Sequence, residues 1–137
     1  MGFLNNLKVE KVEEQTYILL DDLIYKNNEA EFTFKKGFDF DAISIPKAFW
    51  SLIDSPFTGK AVRAATGHDV FYSCEFQNDR KLCDDLFLEM MAADGVSYLK
   101  RYAMYYAVRG AGWTVWKGHN REEVELYRNF VSVVTFV

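Results

Sequence analysis

The chain has 137 residues and a formal net charge of −4; half of it is hydrophobic and 17% is aromatic. That size suits one domain, 1–137, and that apolar content excludes a disordered chain. The acidic balance, with no dense Lys/Arg cluster, argues against nucleic acid as a partner, because nucleic-acid binders carry a basic stripe.

No stretch reaches the roughly 18 apolar residues that a membrane helix needs. The start, "MGFLNNLKVEKVEE", is too polar for a signal-peptide core, and Asn6 stands where myristoylation prefers Ser or Thr. Cys74 and Cys83 lack metal-ligand spacing and are expected as buried reduced thiols rather than a disulfide. The expected location is the cytoplasm of the cell in which the chain is made.

The first third reads as β. "TYILLDDLIY" (Thr16–Tyr25) and "AEFTF" (Ala30–Phe34) flank "KNNE", a turn signal. Ala30, Phe32 and Phe34 alternate with Glu31 and Thr33, giving a strand with one wet face. Together these predict a hairpin over Tyr17–Phe34. In "KKGFDFDAISIPKAFWSLIDSP", Pro46 suits the first position of a short helix with Phe49, Trp50 and Ile53 on its apolar face. Asp54, Ser55 and Pro56 end it.

Three helices follow. The first begins at Thr58 or Gly59 and sets Ala61, Ala64, Ala65, His68 and Tyr72 on or near one face, where the alanines admit a close neighbour. Asn78 or Asp79 caps the second, whose Leu82, Leu86, Phe87 and Met90 recur at helical spacing; Gly95 stops it. Ser97 caps the third, over Tyr98–Gly112, with Leu99, Tyr102, Met104, Tyr106 and Val108 as a broad apolar surface. Trp113 and Trp116 are expected in the core and His119 in an exposed loop. Arg121, Glu122 and Glu123 read as a solvated helix face. The tail "VSVVTFV" is β-branched and aromatic. Left free it would be an aggregation hazard, so it is expected to pair with the N-terminal sheet or with another subunit. The fold class is α+β: an N-terminal hairpin or small antiparallel sheet, a three-helix core with an antiparallel helix pair, and a C-terminal strand.

The chemistry-bearing residues sit on that pair. His68 and Tyr72, four apart, face the same way, and Asp69 lies about 100° round the helix. A short loop forces the next helix to return antiparallel, which brings Asp84 or Asp85 level with His68. A carboxylate there holds the imidazole tautomer and raises its basicity, the core of a dyad that activates water. The same pair can also be a structural hydrogen bond that fixes helix register. Asp69 points toward whatever packs over the helix. Upstream, "FDFDAIS" supplies Asp39, Asp41 and Ser44, and two carboxylates with turn carbonyls suit calcium.

Four stretches in order, "GFDFDAISIPKAFW", "AATGHDVFY", "DRKLCDDLFLEMM" and "MYYAVRGAGW", resemble domain of unknown function 1353, a family found in bacteriophages and prophages. The resemblance covers about 35–113 and leaves 117–137 as an extension. Matched by position, it implies functional polar residues at Asp41, Ser44, His68, Asp69, Tyr72, Arg80, Asp84 and Arg109; Asp84 is preferred to Asp85 because it stands three residues before Phe87. Phe40 departs from the Thr usual there. The helix pair is also similar to that of small prokaryotic phospholipases A(2). That likeness implies His68 as base, Asp84 as its orienter, Tyr72 as a support for the dyad, and Asp69 as a ligand for calcium, with Asp41 of the upstream segment expected as a second ligand.

Two functions are therefore expected. One is a phage-encoded, metal-assisted hydrolase of lipid or another ester, acting on an envelope substrate in infection. The other is a non-enzymatic virion, tail or head-associated protein, with other phage structural proteins or a second copy, joined through the C-terminal strand, as partners. The virion is then a second location.

Overall fold

A computed structural model describes residues 1–13, 16–41 and 59–136. The strands are β1 (Gly2–Phe3), β2 (Val9–Lys11), β3 (Thr16–Leu19), β4 (Leu23–Lys26), β5 (Ala30–Phe34) and β6 (Asp39–Asp41). The helices α1 (Val62–Ser73), α2 (Arg80–Ala93), α3 (Tyr98–Lys117) and α4 (Arg121–Tyr127) follow, and β7 (Val131–Thr135) ends the chain's described part. The fold is α+β.

The strands form two antiparallel sheets, ordered β1-β4-β5-β7 and β2-β3-β6. Thr16–Tyr25 is thus not one strand, as the sequence suggested. β3 pairs with β2 and β6, whereas β4 forms the hairpin with β5. The break falls at Leu20–Asp22, where two adjacent carboxylates disfavour a strand and Asp22 builds a corner. Its Oδ1 accepts from Lys36 N at 2.9 Å and its carbonyl accepts from Asn5 Nδ2 at 2.6 Å. The β4–β5 turn is closed by Asn27, whose side-chain oxygen accepts from the amides of Glu29 and Ala30 at 2.8 and 2.9 Å, the local bonding that favours Asn in turns. β7 pairs with β5, setting Val133 opposite Phe32 and Val131 opposite Phe34. Of the two partners expected for the C-terminal strand, the N-terminal sheet is the one it joins here. The short helix expected at Pro46 lies outside the described residues.

α1 starts at Val62, later than the sequence suggested. α2 starts where Asp79 Oδ1 accepts from Leu82 N at 3.0 Å, and the chain leaves it through Gly95 at φ +79°, a left-handed conformation that glycine adopts without strain. Ser97 Oγ caps α3 by accepting from Lys100 N at 3.4 Å. α3 continues past Gly112 to Lys117, and its apolar surface is narrower than expected. Met104 and Val108 are buried, but Leu99 is 80% and Tyr106 65% exposed, and Trp113 is 48% exposed rather than in the core. α3 packs on α2 through one stripe, and these three side chains lie on the other side.

The core lies between the larger sheet and the helices. Phe71 of α1 meets Phe32 and Phe34 of β5 edge-on, with ring centroids 5.7 and 5.2 Å away. α1 approaches the strand this closely because Gly67 has no side chain: a Cβ there would stand 2.9 Å from the Phe34 ring and 3.2 Å from Met90 Cε. Phe34 and Met90 are fully buried and have nowhere to move. Ala in place of Gly normally helps a helix by about 1 kcal/mol. Gly67→Ala is expected instead to lower the unfolding free energy by about 1–2 kcal/mol through overpacking, read as a shift in urea midpoint at unchanged m-value.

Candidate functional site

α1 and α2 are antiparallel neighbours joined by the turn at 74–79, and α3 packs across α2. Where the three meet, the side chain of Asp84 is completely shielded from water. Its two oxygens divide the work. Oδ1 accepts from His68 Nε2 at 2.7 Å and from the Tyr72 hydroxyl at 2.6 Å. Oδ2 accepts from Arg109 Nη1 at 2.7 Å and from Arg80 Nη1 at 3.3 Å. Arg80 reaches further, donating to the Tyr72 oxygen at 3.2 Å and to the carbonyls of Val108 and Arg109 at 3.0 and 3.1 Å. All three helices therefore end on one carboxylate.

The imidazole of His68 is also fully buried, stacked on Phe87 at 4.5 Å and tilted against Tyr72 at 4.3 Å. A carboxylate only accepts, so Nε2 carries the proton and Nδ1 keeps a lone pair. Nδ1 has no hydrogen-bond partner among the described residues. Burial holds the His68 pKa below its ordinary value; the bond and the charge of Asp84 oppose that, and the nearby Arg80 cation adds to it. For Asp84 the balance runs the other way: burial pushes its carboxyl up, but the donors from His68, Tyr72 and Arg109 prevail and hold it below the usual range. Burial and the same carboxylate raise the Tyr72 hydroxyl, so it stays a donor.

The structure thus brings together His68, Tyr72, Asp84, Arg80 and Arg109. Of the two carboxylates that antiparallel geometry offered, Asp84 meets His68. Asp85 points outward to Lys81 Nζ at 2.7 Å and the Tyr105 hydroxyl at 2.6 Å. Asp69, half-buried, lines a cleft of about 620 Å³ with Asp39, Thr16, Ser73 and Tyr127, beside Phe38 and Phe40. Asp41 pairs through its backbone with Thr16; Ser44 lies outside the described residues. Among the described residues no three His, Cys, Asp or Glu side chains assemble as a metal site.

Two features escaped the sequence reading. Gly112 is the point at which α3 closes over the network: a Cβ there would lie 2.5 Å from the Tyr72 hydroxyl and 3.1 Å from Arg80 Nη1. A glycine inside a helix was its only signal. The second is Glu75, 6% exposed and in the left-handed region at φ +47°. It binds Arg121 and, at 3.2 Å, His119. His119 is therefore not a free loop residue, and Arg121 is tied to the α1–α2 turn rather than only solvated. Cys74 and Cys83 are both free and buried, and burial pushes the Cys74 thiol up to about 11.

An α+β fold whose three helices converge on a shielded carboxylate–imidazole pair is the class of protein defined so far. Residues 17–108 match the family described as Protein of unknown function (DUF1353), and the chain belongs to that family. The match takes in β3 to most of α3. One relative, "Uncharacterized protein y4jT" of Sinorhizobium fredii (strain NBRC 101917 / NGR234), is 39% identical over 84 residues, which are 58% of this chain and 24% of that protein. This chain therefore spans about a quarter of the relative's length. No solved structure matches. No helix among the described residues is long and apolar enough to cross a membrane.

The buried pair dictates a pH dependence of stability. With the folded pKa of His68 below 6.5, the unfolded chain takes up that proton first as pH falls, so stability drops below about 6.5 with a slope of up to about 1.4 kcal/mol per pH unit. Asp84, also lowered, adds a second loss beneath the ordinary carboxylate value. His68→Gln keeps a donor for Asp84 and does not titrate. Urea melts of both proteins between about pH 7 and pH 5 are expected to show the first loss in wild type and not in the variant.

Proposed function

We propose that this protein is a phage-encoded hydrolase of lipid or another ester, acting in infection, in which His68 is the general base. One observation carries the reading: Asp84 fixes His68 through Nε2, while Nδ1 keeps a lone pair that nothing among the described residues uses. A water donates a proton to Nδ1 as its oxygen attacks the ester carbonyl carbon. Asp84 stabilises the resulting imidazolium, which returns the proton to the departing alkoxide. The lowered His68 pKa keeps the base unprotonated at neutral pH. Asp69, next in sequence to the base and on the wall of the cleft, would with Asp41 hold the calcium that polarises the carbonyl.

A second reading is a virion, tail or head-associated protein in which the pair is structural. The complete burial of His68 and Asp84 favours it, because the network then serves to lock three helices.

One variant separates the two. In His68→Gln an amide N–H replaces Nε2–H, and no base stands in place of Nδ1. On phospholipid vesicles and simple activated esters, with and without calcium, the hydrolase reading expects turnover by wild type and a loss of about 100-fold or more in the variant, with melting behaviour at pH 8 little changed. Absence of turnover in wild type, together with stoichiometric copies in purified virions, would establish the structural reading instead. Calcium binding measured by calorimetry is expected to vanish in Asp69→Asn.

A further inference from the structure

The outer face of α3 is left exposed among the described residues. Leu99, Tyr106 and Trp113 are 80%, 65% and 48% exposed, and with Ala103, Gly110 and Lys117 they recur every three or four residues, forming one seam along the helix. Only Lys117, at the end, is charged, and it lies over the Trp113 ring at 4.6 Å. The seam alternates large and small: Leu99, Ala103, Tyr106, Gly110, Trp113. Among the described residues nothing accounts for Gly110, since a Cβ there would meet none of their atoms within 4 Å, yet glycine inside a helix costs about 1 kcal/mol relative to alanine.

We propose that this face is a homodimer interface in which α3 packs antiparallel against α3 of a second copy, on a two-fold axis at the level of Val108. The seam is complementary to itself in that register: Tyr106 falls on Gly110 of the partner subunit, Trp113 on Ala103 of the partner subunit, and Leu99 beside Lys117 of the partner subunit. By symmetry each contact occurs twice, as an isologous interface requires. Every large side chain meets a small one, which is how facing helical layers interdigitate, and Gly110 allows the backbones to approach.

The area is sufficient. Aromatic side chains bury about 150–250 Å² each. With the exposures above, and Tyr98 at 69% on the flank, two copies would remove on the order of 1,000 Å² or more from water, the threshold of a specific interface. Tyr98, Tyr102 and Tyr106 already lie against one another along the helix as tilted rings, with centroids 4.6 and 6.2 Å apart, so less side-chain freedom is lost on docking. This inference is independent of the hydrolase reading.

Sedimentation equilibrium across a wide concentration range tests it on the full chain. Wild type is expected to dimerise. Gly110→Leu, which fills the hole, and Tyr106→Glu are each expected to weaken dimerisation at least about tenfold, with far-UV circular dichroism unchanged. Tyr106→Ala combined with Gly110→Leu is expected to restore it, because the large and small positions have exchanged. A wild-type protein that stays monomeric overturns the proposal. So does a dimer that survives Gly110→Leu but is lost in Val134→Lys, which would place the contact at the open edge of β7.

Discussion

A carboxylate removed from water sets the terms for the helical half of this protein. Ionised, Asp84 is costly to bury unless donors surround it, and its two oxygens receive four, from His68 and Tyr72 of α1, Arg80 of its own helix and Arg109 of α3. No pair of helices could supply that set. Removing one member of such a network costs about 3–5 kcal/mol. The exposed Lys81–Asp85 pair one residue away is worth about 0–1 kcal/mol. The buried group therefore fixes the relative placement of α1, α2 and α3, and the surface pairs adjust to it.

Burial decides the charge state of the ring, and the composition of the network works in the same direction. Two guanidiniums face one carboxylate, so the cluster is already net positive before His68 gains a proton. A charged imidazole would be buried beside an excess of cation. Burial is the main reason that an aspartate 2.7 Å away does not raise the imidazole above its ordinary range, and the nearby Arg80 cation adds to it. Burial, with Arg80 beside it, thus keeps the pair a neutral, tautomer-fixed imidazole on a carboxylate, with one lone pair unspent among the described residues.

Much of this geometry could be seen in the sequence because it rests on local rules. His68 and Tyr72 share a face by their spacing, and a six-residue turn obliges α2 to return alongside α1. Asp79, Gly95 and Ser97 mark helix boundaries by chemistry that acts within four residues. Arg109 came only through likeness to a family pattern, since no spacing relates it to residues on α1. Gly112 was passed over because its meaning lies in a neighbour 40 residues earlier, Tyr72. The split of Thr16–Tyr25 between two sheets was hidden for the same reason: both halves have strand composition, and only the bonds of Asp22 to Lys36 and Asn5 show the corner. The apolar surface of α3 was read too broadly because composition does not say which of two apolar faces is covered.

α3 carries both answers to that question within three residues. Gly112 and Gly110 lie on opposite sides of the helix, about 200° apart, and each weakens it by a similar amount. On the inner side the absent side chain is accounted for by Tyr72 and Arg80, which occupy its space. On the outer side none of the described residues occupies it, although Tyr106 and Trp113, about a turn to either side, are large, exposed and uncharged. A helix that gives up stability at two points, one of them with a visible return, has the same physical logic at the other when a second helix is laid against it. Arg109, next to Gly110, donates to Asp84 from the same helix, so the face that closes over Asp84 and the face left open to solvent are parts of one rigid element.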